Sequence, residues 1–175
     1  MRNIFDQYNQ PENKLTHSLV SCLYEDKQLL NSFLKSFCSD FFKKSSNLQI
    51  EQQTVPGELN LLDDENDRKG LPDAVIYTEE QCLIIESKVS STLTKDQLIR
   101  HEKTVRRRGF NNVRGIGIVV DLLPNIRLDN WKQLTWNQIY NWVYNETENS
   151  KWAKKLLDYF NIAENKMVEN EYLTE

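Results

Sequence analysis

The feature that most constrains this chain is a pair of apolar runs that carry charge where a buried strand ordinarily has none. Residues 71–78, LPDAVIYT, hold Asp73 among Leu71, Ala74, Val75 and Ile76. Residues 82–90, CLIIESKVS, hold Glu86 and Lys88 inside an Ile84-Ile85-x-x-x-Val89 stretch. Both read as strands, joined by the short turn TEEQ. Side chains alternate along a strand, so Glu86 and Lys88 share a face with Ile84, and Asp73 shares one with Val75 and Tyr77. An antiparallel hairpin about residues 79–81 brings all three charges toward one end of a sheet. Left unpaired and buried, each would cost several kcal/mol. A divalent cation bound by the carboxylate oxygens removes that cost, and hard oxygen donors are what magnesium takes. An ion pair on a solvent face is the competing reading for any one of these residues.

The rest of the chain supplies the elements around that hairpin. Leu15, Leu19, Cys22 and Leu23 recur at helical spacing, which predicts a helix over 11–24. A second is expected over 27–44, striped by Leu30, Phe33, Leu34, Phe37, Phe41 and Phe42. The alternation in NLQIEQQTV predicts a first strand. Residues 56–70 read as an exposed loop carrying Glu58, Asp63, Asp64, Glu65 and Asp67, without the fixed spacing of a calcium-binding hand. Thr94 is placed to cap a helix running to about Arg108, which Gly109 stops. VRGIGIVVDL is expected as a fourth strand, and residues 136–144 and 150–160 as closing helices. The order α-α-β-β-β-α-β-α-α predicts an α/β fold with a mixed sheet of about four strands flanked by helices.

On the helix after the charged strands, Gln97 and His101 stand four residues apart, with Arg100 adjacent and Thr104 and Arg108 extending that side. Leu98 and Val105 are expected to anchor the opposite side to the sheet. Glu12 lies on the inward stripe set by Leu15 and Leu19, or closes a capping box begun by Asn9. Periodicity leaves both readings open.

Composition narrows the function. With 175 residues, 39% hydrophobic and 27% charged, the chain suits one globular domain. Residues 1–160 are expected to form it, and the acidic 161–175 a tail or the start of a linker. The N-terminus lacks the apolar centre of a secretory signal, and no apolar run is long enough for a membrane helix, so a cytoplasmic protein with no membrane partner is expected. Cys22, Cys38 and Cys82 make an odd count without paired spacing, which predicts reduced thiols. Net charge is −4, yet residues 88–114 carry eight basic side chains against Asp96 and Glu102, a local +6. Such a patch on an acidic protein attracts phosphates.

Pro72-Asp73, then Glu86-x-Lys88, then Gln97-Leu98-x-x-His101 resemble, in that order, the motifs of the PD-(D/E)XK nuclease superfamily. ENKLTHSLVSCL, from Glu12, is similar to the first helix of one branch, and WKQLTWNQIYNWV to its closing Trp-containing helix. The resemblance implies a restriction-endonuclease-like core and a divalent-metal-dependent nuclease. It implies Asp73 and Glu86 as metal ligands with the Ser87 backbone carbonyl, and Glu12 as a further ligand directly or through water. Lys88 would orient or deprotonate the attacking water, and Gln97 would hold that water or a phosphate oxygen. Arg100, His101, Lys103, Arg106, Arg107 and Arg108 would contact nucleic acid. Mg2+ is the implied cofactor, with Mn2+ able to substitute. The implied substrate is DNA, cut endonucleolytically with little sequence preference, alone as a homodimer or beside a partner subunit. Branched DNA or RNA, and a catalytically silent binding or scaffold subunit, stand as the alternatives. Nucleases of this branch resemble components of prokaryotic defence and DNA processing.

Overall fold

The computed structural model describes residues 11–38, 41–42, 47–53 and 71–169, with side chains in those spans from 14 to 163. The chain divides into two compact units. One comprises Lys44–Lys88 and Thr92–Leu134, the other Met1–Lys43, Val89–Ser91 and Thr135–Glu175.

The first unit is built on a five-stranded sheet ordered β1-β2-β3-β4-β5: Gln49–Gln52, Ala74–Tyr77, Gln81–Ser87, Asn112–Val119 and Trp131–Thr135. β1 pairs antiparallel with β2, and β2 antiparallel with β3, across the expected hairpin. Its turn is held by Thr78, whose hydroxyl accepts from the Gln81 amide at 3.1 Å and whose amide donates to the Gln81 carbonyl at 2.9 Å. β3 then pairs parallel with β4, a direction that requires a crossover between them. Helix Lys95–Arg107 makes that crossover. Every residue of β3 is buried, which is why its sequence is apolar from Cys82 to Ile85 before the charges begin.

The crossover helix starts and stops where its sequence indicates. The Thr94 hydroxyl accepts from the Gln97 amide, and Gly109 ends the helix at φ +97°, a conformation glycine takes without steric cost. Val105 packs with Val75, Cys82, Ile84, Phe110 and Val113 on one sheet face. Leu98 packs with Leu93 and Val119 in a neighbouring cluster.

The same face depends on two glycines of β4. A Cβ at Gly115 would lie 2.3 Å from the Trp131 ring, and one at Gly117 would lie 2.7 Å from Leu93 Cδ2. An indole cannot retreat as a leucine tip can. Gly115→Ala is therefore expected to destabilise by ~1–3 kcal/mol, as overpacking does. Urea unfolding checks this, with a lowered midpoint at unchanged slope expected; an unmoved midpoint contradicts the packing.

The second unit contains α1 Pro11–Glu25, α2 Lys27–Phe37, and two helices after the sheet. Numbered in chain order, the crossover helix is α3, followed by α4 Trp136–Glu146 and α5 Lys151–Glu169. Asp26 caps α2 through amides of Gln28 and Leu29 and also accepts from the Ser150 hydroxyl at 2.6 Å. Phe33, Phe37 and Trp142 meet edge to face. The indole N–H of Trp142 donates to Ser32, whose hydroxyl donates to Glu146 at 2.6 Å.

The secondary structure departs from the sequence reading in three places. The sheet has a fifth strand, β5, where none was expected. Helix α2 ends at Phe37 because Cys38 leaves helical geometry at φ −134°, ψ 31°; residues 39–40 and 43–44 of the expected helix lie outside the described residues. Helix α5 continues to Glu169, since neither Gly nor Pro interrupts 161–169 and Ala163 extends the buried stripe. The acidic loop 56–70 also lies outside the described residues. Cys22, Cys38 and Cys82 are buried and in no disulfide among the described residues, and burial pushes the thiols of Cys22 and Cys82 up to about 12. No helix among the described residues is long and apolar enough to cross a membrane.

Candidate active site

The charges that interrupt the two strands meet at one end of the β2–β3 pair. Ala74 pairs with Ile85, so one step outward sets Asp73 opposite Glu86. The backbone amide of Asp73 lies 3.3 Å from Glu86 Oε2, donating to it. In return the Asp73 carboxylate accepts twice at Oδ2 from Ser87, from its amide at 2.8 Å and its hydroxyl at 3.0 Å. Lys88 continues beside β4, its amide donating to the Ile118 carbonyl at 2.8 Å. Its Nζ lies 2.9 Å from Glu86 Oε1.

Helix α3 closes the site from above the same sheet face. Gln97 Nε2 donates to Glu86 Oε1 at 2.6 Å. His101 Nε2 lies 3.1 Å from Glu86 Oε2. On the β4 side Glu86 is paired with Gly117, which presents no side chain.

The two carboxylates differ in electrostatics. Burial, then the charge of Glu86, pushes the Asp73 carboxyl up from 3.8 to about 6, against the opposing Ser87 hydrogen bonds and Lys88. Burial also acts to raise the Glu86 carboxyl, but His101 and Lys88 outweigh it and hold it below the usual range. Two neighbouring carboxyls pushed apart in this way are a recurring sign of acid–base or metal chemistry. A divalent cation would relieve what raises Asp73, and the donors are hard oxygens, so the residues present fit magnesium or manganese. Among the described residues no group of three or more His, Cys, Asp or Glu side chains is arranged to hold a metal. Glu12 stands in the first turn of α1, and its side chain lies outside the described residues.

The structure brings Asp73, Glu86, Ser87, Lys88 and Gln97 together, and it corrects His101. The sequence reading set His101 beside Arg100 to touch nucleic acid. His101 is instead 1% exposed, on the inward face with Leu98, Thr104 and Val105. The reason is spacing: 98, 101 and 105 recur at i, i+3 and i+7, so His101 shares the stripe that anchors the helix. Arg100, Lys103 and Arg107 form the exposed stripe and Arg108 is half-buried. Arg106 reaches back to Glu102 through two nitrogens, at 2.8 and 2.9 Å, and donates to the Asn111 carbonyl at 2.6 Å. Sequence reasoning missed the grip of Ser87 on Asp73. The one available signal was a small hydroxyl in a wholly buried strand.

A family model of the PD-(D/E)XK nuclease superfamily matches residues 2–161. No curated protein matches the chain. Among solved structures the chain is similar to the small subunit of the heterodimeric restriction endonuclease R.BspD6I. Identity is 12% and the TM-score 0.40, over 89% of this chain and 98% of that one.

Proposed function

Because the chain belongs to the PD-(D/E)XK nuclease superfamily, which its residues 2–161 match, we propose that it is a divalent-metal-dependent nuclease centred on Asp73, Glu86 and Lys88. The observation that carries this reading is the meeting of the two carboxylates beneath one ammonium, with Asp73 raised to about 6 by burial and by Glu86. DNA is the favoured substrate, cut internally and with little intrinsic sequence preference.

Asp73 and Glu86 would hold the cation, with the Ser87 carbonyl as a further oxygen donor. A bound divalent cation supplies Lewis-acid stabilisation of the phosphate and a more acidic water. Ser87 fixes Asp73 from two directions, so its free oxygen keeps one orientation. Lys88 is 15% exposed, and its Nζ stands where negative charge on a scissile phosphate can be met. Gln97 holds Glu86 in this structure, which makes the carboxylate, rather than water, its first partner.

The outward stripe of α3 supports a contact with the phosphate backbone that is independent of sequence. Replacing Arg100, Lys103 and Arg107 by Gln together is expected to weaken duplex binding and to flatten its salt dependence by about 0.9 in log–log slope per lost phosphate contact. Arg106→Gln is expected to act differently, lowering the melting temperature slightly and leaving the slope nearly unchanged, because its charge is already paired with Glu102. Fluorescence anisotropy at several salt concentrations separates the two. An unchanged slope in the triple variant makes that stripe a solvated face and no more.

Incubation of the purified chain with plasmid, linear duplex, single-stranded DNA and RNA in Mg2+, Mn2+ or EDTA tests the reading. Nicked or linearised plasmid in either metal, absent in EDTA, is the expected result. Cleavage confined to RNA overturns the substrate, and binding without any cleavage overturns the reaction.

A further inference from the structure

We infer that His101 is a positioning residue that, from helix α3, orients the Glu86 carboxylate toward the cation. This rests on the nuclease reading and goes beyond it, to a buried group that acts through another side chain.

The geometry around Glu86 is the starting point. Its carboxylate is held at both oxygens: Gln97 Nε2 at 2.6 Å and Lys88 Nζ at 2.9 Å from Oε1, His101 Nε2 at 3.1 Å and the Asp73 amide at 3.3 Å from Oε2. Two of these four, Gln97 and His101, stand i and i+4 on one helix. That helix is fixed by the Thr94 cap and by Leu98 and Val105 in two apolar clusters, so its side chains arrive from a rigid base. A glutamate has freely rotating torsions, and Gly117 offers no wall on the β4 side. Contacts on both oxygens are what hold the carboxylate plane still.

His101 is also costly for a residue with no such task. It occupies a 1% exposed position between Leu98 and Val105, where another apolar side chain would continue the stripe. An imidazole there must be desolvated, and it lies within reach of a carboxylate that is itself 2% exposed. Partners that orient metal-ligating groups typically change metal affinity 10–100-fold when removed. Lys88 is engaged at the other oxygen, which leaves His101 and the Asp73 amide at Oε2.

The test uses the full chain and two readouts. Mn2+ affinity is measured by titration calorimetry for wild type, His101→Leu and His101→Gln. The Gln amide nitrogen reproduces the reach of Nε2, and the Leu side chain does not. Mn2+ affinity is expected to fall by ~10–100-fold in His101→Leu and to recover most of the way in His101→Gln. The second readout needs no metal: thermal unfolding in EDTA of a double-mutant cycle with Glu86→Gln. His101→Leu is expected to shift the melting temperature by a different amount when Glu86 is already replaced. Additive shifts, or an affinity within about threefold of wild type in a folded His101→Leu, overturn the inference and leave the nuclease reading standing. Should His101→Leu fail to fold, His101→Asn replaces it, since the shorter amide falls short of Glu86; equal affinity in the Asn and Gln variants then overturns the inference. A wild-type chain that takes no Mn2+ defeats the metal reading itself, and the orienting role with it.

Discussion

Asp73→Asn is expected to lose cleavage by on the order of 10³-fold or more and, in the absence of metal, to melt at a higher temperature than wild type. The two effects have one source. In the folded protein the Asp73 carboxyl is raised from 3.8 to about 6 by burial and by the charge of Glu86. The folded state therefore binds this proton more tightly than the unfolded state does. That contribution is fully present below about pH 4 and is lost as pH rises through 6. At pH 8 the wild type bears the whole penalty, about 1–3 kcal/mol after discounting for its coupling to Glu86. An Asn keeps an oxygen for the Ser87 amide and hydroxyl and carries no charge. The expected gain is roughly 2–4 °C per kcal/mol for a chain of this size, and it should vanish when both proteins are melted near pH 4. Added Mn2+ should reverse the order, raising wild type and not the variant. Identical melting curves at pH 8 in EDTA would mean that Asp73 is solvated and unstrained.

Lys88→Met is expected to separate binding from chemistry in the opposite way. The ammonium sits 2.9 Å from Glu86 Oε1 and so competes with a cation for that oxygen. Removing it should leave Mn2+ affinity unchanged or improved while cleavage falls by on the order of 10²–10⁴-fold, the range of a lost general acid–base or electrostatic group. Met keeps the length and apolar body of the stem, so packing is little disturbed. Calorimetry and single-turnover cleavage on the same preparation decide it. Retained cleavage would remove Lys88 from the reaction, and lost metal binding would make it a structural partner of Glu86.

The meeting of three charges was readable because it breaks a rule. Asp73, Glu86 and Lys88 interrupt apolar strands, and a buried charge demands an explanation that a surface charge does not. The crossover helix was equally readable, since Thr94 and Gly109 act locally. Strand β5 was not: WKQLT has only Leu134 buried, and a short strand at the sheet edge is specified by pairing rather than by its own pattern. Its Trp131 is accommodated by Gly115, sixteen residues earlier, a relation that exists only in three dimensions. The grip of Ser87 on Asp73 depends on hairpin register, which alternation does not give. His101 is a different kind of miss. Its spacing from Leu98 and Val105 already placed it inward, and the neighbouring Arg100 drew it outward in the reading.

The most direct test of the central claim is plasmid cleavage by wild type and Asp73→Asn side by side, in Mn2+ and in EDTA. Both proteins should first be shown to be folded by thermal unfolding. Metal-dependent cleavage by wild type that disappears in the variant, whose fold is as stable or more so, is the predicted result. Equal cleavage by the two proteins, or cleavage that persists in EDTA, would contradict a metal-dependent nuclease centred on Asp73 and Glu86.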